Sequence, residues 1–257
     1  MWIVIFILGA IAGSFMNVCI HRLPIKESIV RPGSHCPICG AHIRWYDNIP
    51  LVSFLLLGGR CRYCKNSIPA RYFLVELISG SLAALLFLKF GITPRFFAYA
   101  YLAGSLIVIS CIDFAVQEIP DEITLSGIVI GIAASVASPD ILGRATRMTA
   151  FFDSLGGMLL GGAAIYIVGF IGEFILKKEA MGGGDIKLMA MIGAFIGWRL
   201  TLLTFFVAPF FGSAAGIALI LKNKKNSVIP YGPYISLAAI ISIFFGEEIL
   251  KRIFLLY

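Results

Sequence analysis

Apolar runs of about 20 residues dominate this chain, near 2–20, 72–90, 96–112, 122–138, 154–176, 200–221 and 231–250. Wound as helices, such runs match the hydrocarbon thickness of a bilayer. Inside a bilayer every backbone N–H and C=O must be paired within the protein, so helices are the form these runs can take. A shorter apolar stretch, 188–198, follows the Gly-rich run 182–184 and is divided from its successor only by Trp198 and Arg199. It reads as a short or tilted eighth span. Of the 257 residues 59% are hydrophobic and 14% charged, whereas a soluble domain carries roughly a quarter charged residues. No soluble core of this size hides so much apolar surface. The expected fold class is therefore an all-α polytopic membrane protein of about eight transmembrane helices, with the lipid bilayer as its first partner.

The first run lacks the positive start of a secretory signal, and its first basic residue, Arg22, comes after the apolar part. It reads as a retained span with its start outside, and eight crossings then place both termini outside. Fourteen of the 21 Lys and Arg fall on segments that this topology puts inside, namely 21–71, 177–187 and 222–227. That bias agrees with the positive-inside rule, although the inside loop near 113–121 carries no Lys or Arg. The net charge of +7 thus has a membrane origin. No aromatic–basic module accompanies it, and nucleic acid is not an expected partner.

One segment breaks the apolar pattern. Residues 21–71 are polar and turn-rich, and hold four of the six cysteines and all three histidines. The expected organisation is a first transmembrane helix (1–20), a small inserted cytosolic domain (21–71) and a transmembrane domain (72–257). Cys36-Pro37-Ile38-Cys39 and Cys61-Arg62-Tyr63-Cys64 are separated by 21 residues. Two Cys-x-x-Cys pairs at such a distance are a zinc-ribbon spacing. Four thiolates from Cys36, Cys39, Cys61 and Cys64 would close a tetrahedral Zn²⁺ site with no open position, so the metal would be structural. Arg60, Arg62 and Lys65 would offset its negative charge. Disulfides or a redox pair are the alternatives, disfavoured in a cytosolic segment. His35 could replace a thiolate. Cys19 and Cys111 lie in apolar runs and read as small core residues.

Acids inside apolar runs are costly and so point to function. Asp113 falls at the inner end of the third span, and Asp185 follows Gly182-Gly183-Gly184 at the start of the sixth, which the topology puts at the same membrane face. Two close carboxylates share a proton, giving one base and one acid. Such a pair can activate water against a peptide carbonyl. The glycines would let the backbone leave helical geometry and admit an extended substrate. The same features suit an ion-coupled transporter, since Gly-rich breaks beside acids also mark transport sites. A membrane adaptor whose only chemistry is its zinc is a third reading. Asp121 reads as a helix N-cap. Glu76 reads as a headgroup-level charge that could meet Arg71 or Arg44. Lys187 either pairs with an aspartate of the dyad or anchors its helix.

The motifs, taken in order, resemble those of the bacterial prepilin peptidases, the type 4 leader peptidases. The resemblance is carried by Gly13-Ser14-Phe15-Met16-Asn17-Val18 with His21-Arg22-Leu23-Pro24, by the cysteine pairs, and by Trp45-Tyr46-Asp47-Asn48-Ile49-Pro50. It continues through Arg71-Tyr72-x-x-Val75-Glu76, Ile112-Asp113 with Ile119-Pro120-Asp121, Gly182-x-Gly184-Asp185-x-Lys187, and Pro230-Tyr231-Gly232-Pro233. It implies an intramembrane aspartic endopeptidase of the GxGD type with Asp113 and Asp185 as the catalytic pair and Gly182, Gly184, Lys187 and Asp121 in support. It further implies type IV pilin and pseudopilin precursors as substrates, cleaved at the cytosolic face of the bacterial inner membrane. The same resemblance links residues 21–71 to N-methylation of the new N-terminus from S-adenosylmethionine, although no spacing in this chain announces a pocket for that donor.

Overall fold

The computed structural model describes residues 1–177, 181–221 and 230–254, and the basic segment 222–227 and Lys178 lie outside them. The chain forms two compact units, Met1–Ile92 and Thr93–Tyr257. Among the described residues the regular elements are all helical.

The first unit pairs two long helices, α1 (Trp2–Arg22) and α3 (Arg71–Phe90), around an inserted module that contains the single-turn α2 (Val52–Leu56). In lipid, apolar side chains gain little by touching one another, so helices associate where small residues allow close approach. Gly9 and Gly13, spaced four apart on one face of α1, do this against α3. A Cβ on Gly13 would lie 2.0 Å from Ser79 Oγ and 2.9 Å from Glu76 Cα, and one on Gly9 would lie 2.9 Å from the Ser79 carbonyl oxygen. The other face of α1 leaves Ile3, Val4, Ile7, Leu8, Ile11 and Phe15 exposed, an apolar surface suited to lipid. Arg22, buried at the end of α1, donates to the carbonyls of Ser28 (2.9 Å) and Pro32 (2.8 Å) and so pins the chain as it enters the module. Gly13→Leu is expected to push α1 off α3 and to cost about 3 kcal/mol, the upper end for overpacking. A thermal melt of the detergent-solubilised protein checks this, and an unchanged midpoint would contradict it.

The second unit contains α4 (Pro94–Val116), α5 (Asp121–Ala137), α6 (Arg147–Leu176), α7 (Gly183–Leu221) and α8 (Gly232–Phe254). Thr93 caps α4 by accepting from the Phe96 N–H, with Pro94 in the first turn. A Thr146/Thr149 capping box starts α6, seven residues before the apolar run that announced it. Glycines again set the packing. A Cβ on Gly193 would fall 2.1 Å from the Gly157 carbonyl oxygen, and one on Gly131 would fall 2.9 Å from the Phe195 ring.

α7 is not straight. Gly197, at φ 71° and ψ 170°, interrupts its helical geometry. A Cβ on Gly161 of α6 would lie within 3.1 Å of both the Met189 carbonyl oxygen and Thr201 Cγ2, yet twelve residues of straight helix span about 18 Å. The chain therefore doubles back at Gly197, and both arms run along α6. Asp153 holds the reversal: it accepts from the Trp198 N–H at 3.3 Å and pairs with Arg144 at 2.6 Å. The outgoing arm returns along α8, where Thr204 Oγ1 donates to Ser242 Oγ at 2.9 Å. The expected boundary at Trp198-Arg199 thus falls one residue past the true break.

Among the described residues, six helices are long and apolar enough to cross a membrane: α1, α3, α4, α6, α7 and α8. α5 is shorter, at 17 residues.

Candidate functional site

In the second unit, one end of the helical bundle gathers the expected carboxylates. Asp113 occupies the last turn of α4 and is 5% exposed. The helix stops just beyond it, where Gln117 turns left-handed and its N–H donates to the Asp113 carbonyl at 3.0 Å. Asp113 Oδ2 accepts from the Gly232 N–H at 2.9 Å. A Cβ on residue 232 would sit 2.7 Å from that oxygen, so glycine is what lets this backbone come so close. Asp185 is half-buried in the first turn of α7, its N–H donating to the Gly182 carbonyl at 3.1 Å. The two carboxylates, 72 positions apart in sequence, meet at one place, because Gly184, next to Asp185, and Gly232, the partner of Asp113, both pack against Ile119. Tyr231, the neighbour of Gly232 in the chain, lies close to Asp185.

The supporting residues behave differently from expectation in three ways. Gly183 and Gly184 do not leave helical geometry: both belong to α7, and neither has a positive φ. Gly184 instead permits contact, because a Cβ there would meet Ile119 Cβ at 2.8 Å. Asp121 is not the N-cap of α5. Pro120 holds that position, and the Asp121 carboxylate is taken by Lys187, whose Nζ is 2.7 Å from both oxygens. Lys187 therefore ties the start of α7 to the start of α5 and pairs with neither Asp113 nor Asp185. The ion pair is exposed on both sides, where such pairs contribute about 0–1 kcal/mol.

In the first unit, the thiols of Cys36, Cys39, Cys61 and Cys64 lie within 4.8 Å of one another. None is in a disulfide. The two pairs sit on matching turns. Cys36 N–H donates to Ala41 O and Gly40 N–H to Cys36 O, both at 2.9 Å. Cys61 N–H donates to Asn66 O (2.9 Å) and Lys65 N–H to Cys61 O (3.0 Å). Each turn ends in a left-handed residue, Gly40 or Lys65, and each is closed by a β-bridge, His35 with His42 and Arg60 with Ser67. The module is thus a structural duplication with a period of 25 residues that only the cysteines betray in the sequence. Backbone N–H groups of Cys64 and Tyr63 bring the Cys61 thiol down to about 7, while hydrogen bonds among the four thiols push Cys39 up to about 11, so the thiolate falls on Cys61 first. His35 and His42 direct Nδ1 to the carbonyls of Gly33 and Ile43, and the cluster is made of cysteines alone. Arg62 grips Asp47 with two nitrogens, holding that carboxyl below its usual range.

Two family descriptions match this chain in sequence order. The Bacterial Peptidase A24 N-terminal domain covers residues 7–90 and the Type IV leader peptidase family covers residues 100–217. A protein from Pseudomonas aeruginosa named prepilin leader peptidase/N-methyltransferase is 33% identical over 95% of this chain and 90% of its own length. One of the same name from Myxococcus xanthus is 40% identical over 86% of the chain and 64% of that relative. One from Stutzerimonas stutzeri is 33% identical over 95% and 90%. The chain belongs to the type IV leader peptidase family. No solved structure matches it.

Within this leader peptidase, residues that the sequence had left without a task acquire one. Gly232 was legible only as part of a motif, yet it donates to Asp113. Glu76 meets neither Arg71 nor Arg44 in a salt bridge. It is buried, and its Oε2 accepts from the Leu51 N–H at 2.8 Å, at a residue whose φ of 63° needs holding. The signal that could have found Asn17 was its place as an amide within an apolar run. It is 2% exposed and donates to the Tyr72 carbonyl at 3.0 Å.

Proposed function

We propose that this protein removes the leader from type IV pilin and pseudopilin precursors at the cytosolic face of the bacterial inner membrane, with Asp113 and Asp185 as the catalytic pair, and then methylates the exposed N-terminus. The observation that carries the reading is the convergence of two carboxylates from distant parts of the chain on one end of the bundle. Family membership and the names of the relatives support both activities. Two carboxylates that share one proton supply a base that takes a proton from water and an acid that protonates the scissile carbonyl. The first carboxyl, now carrying the proton it took from water, then protonates the departing amine, and the second recovers its own proton from the tetrahedral hydroxyl as the carbonyl re-forms. The Gly232 N–H orients Asp113 for this task, and the Asp121–Lys187 pair together with the Gly184–Ile119 contact fixes the start of α7 that carries Asp185.

We read the two arms of α7 as separate crossings. With α5 that makes eight, puts both termini outside, and sets the aspartates on the inner side. Cys36, Cys39, Cys61 and Cys64 would hold one structural Zn²⁺. Tetrahedral zinc–thiolate bonds of about 2.3 Å put sulfurs about 3.8 Å apart, and Cys36 Sγ lies 3.9 Å from Cys64 Sγ. S-adenosylmethionine, when bound, would supply the methyl group. A cavity of about 540 Å³ in the first unit has room for it.

Purified protein mixed with a pilin-type precursor is expected to give a mass loss equal to the leader, and a further methyl mass when S-adenosylmethionine is added. An intact precursor, with the protein folded and several precursors tried, would overturn the reading.

A further inference from the structure

The same cavity has a floor made by the transmembrane pair and a wall made by the cysteine module. Ser14 and Asn17 of α1, Glu76 of α3, and Cys36, Cys61 and Tyr63 of the module line it. Among the described residues, Asn17 Oδ1 is, with Arg71 Nε and Ser236 Oγ, one of three buried side-chain atoms that find no hydrogen-bond partner. The donation of Nδ2 to the Tyr72 carbonyl fixes the amide so that its acceptor end is the unpaired one. A buried acceptor left unpaired is costly and asks for a donor. Glu76, 9% exposed in the same lining, adds a carboxylate that receives the Leu51 N–H and the Ser14 hydroxyl and keeps acceptor capacity beyond them. No described salt bridge reaches it. The cations in the lining are engaged elsewhere, Arg22 with the carbonyls of Ser28 and Pro32, and Arg62 with Asp47. An unpaired acceptor in one lining with a carboxylate, with no basic side chain among the described residues answering either, fits a primary ammonium group.

What the ammonium is attached to follows from the neighbouring space. A second cavity, of about 750 Å³, runs along the apolar face of α1 past Phe6, Ile7, Ala10 and Phe15. It shares Ser14, Val18, Arg22, Ser34 and Asn48 with the first. An apolar groove that opens beside an ammonium-accepting floor matches a hydrophobic peptide ending in a free amine. We infer that Asn17 and Glu76 form the subsite for the free α-amine of a hydrophobic peptide, with the residues that follow the amine lying in the groove along α1. The inference rests on the reading above, in which leader removal exposes such an end and methylation acts on it. The α-ammonium of S-adenosylmethionine has the same chemistry; the groove favours the peptide.

The test uses the full-length protein in detergent and a fluorescent peptide with an apolar N-terminal segment, either with a free α-amine or N-acetylated. The free amine is expected to bind at least 10-fold more tightly. Asn17→Leu and Glu76→Gln are expected to erase that preference while cleavage of a leader-bearing precursor and metal content stay as in the wild type. Should either variant melt early, Ser67→Trp at the exposed rim of the cavity is expected to weaken free-amine binding by at least 10-fold. Equal binding of the two peptides by the wild type overturns the inference, as does a preference that survives both substitutions. Competitive displacement of the peptide by S-adenosylmethionine also overturns it, since the subsite then belongs to the donor. A wild type that cleaves and methylates without preferring the free amine refutes this subsite alone. One that does neither removes the function beneath it.

Discussion

Asp113→Asn and Asp185→Asn are each expected to lower the rate of leader cleavage by at least about 10³-fold. Asparagine keeps the shape of aspartate, and at position 113 its oxygen can still accept from the Gly232 N–H, which now approaches Oδ2 at 2.9 Å. What it cannot do is hold or release the shared proton. Without that proton exchange, water is not activated and the leaving amine is not protonated. Both variants are expected to keep the helix content, melting point and metal content of the wild type, so the loss is chemical rather than structural. An ion-coupled transporter would also suffer from these changes but would show no cleavage to lose, and a zinc adaptor would tolerate both. Single-turnover cleavage followed by mass spectrometry measures the effect. Activity within tenfold of wild type in either variant would remove the aspartyl mechanism.

The second large effect concerns the metal. Between residues 23 and 70, Cys36 alone is buried, while Val30, Ile38, Trp45, Leu55 and Leu56 are strongly exposed. A segment with so little core cannot offset the conformational entropy of ordering its backbone. The four thiolates must supply the difference through a metal, as in small zinc modules, where binding contributes about 10–16 kcal/mol to folding. Elemental analysis is expected to find one Zn²⁺ per chain. Chelation, or Cys36→Ala, is expected to make residues 33–69 sensitive to protease while the helices of the second unit keep their melting transition. A module that stays protease-resistant with no metal bound would contradict this.

Much of the architecture was legible because the bilayer imposes one dominant pattern. Each long apolar run became a helix, and even the weak boundary at Trp198-Arg199 marked a real reversal. The breaker itself, Gly197, escaped notice because its φ of 71° and its partner Asp153 are set by tertiary contact rather than by composition. Asp113 and Asp185 stood out as acids in apolar surroundings, and the cysteine spacing announced its cluster. The supporting roles were harder to read. Whether Asp121 caps a helix or takes Lys187 depends on where Pro120 places the first turn. Whether Gly184 loosens a backbone or admits Ile119 depends on a neighbour 65 positions away. The Gly232 N–H is a backbone group, which sequence patterns of side chains do not reveal. The duplicated turns of the cysteine module share hydrogen bonds and a left-handed position, filled once by Gly40 and once by Lys65, so residue identity conceals the repeat.

The central claim is that Asp113 and Asp185 act as one unit, and its most direct test is the double variant. Cleavage of one pilin-type precursor would be followed by mass spectrometry with the wild type, Asp113→Asn, Asp185→Asn and the two combined. A shared proton predicts that each single substitution brings the rate to background and that the second adds no more than about a further threefold loss. Losses that multiply, or one variant that cleaves nearly as well as the wild type, would mean that the two carboxylates work independently, and the dyad would fall.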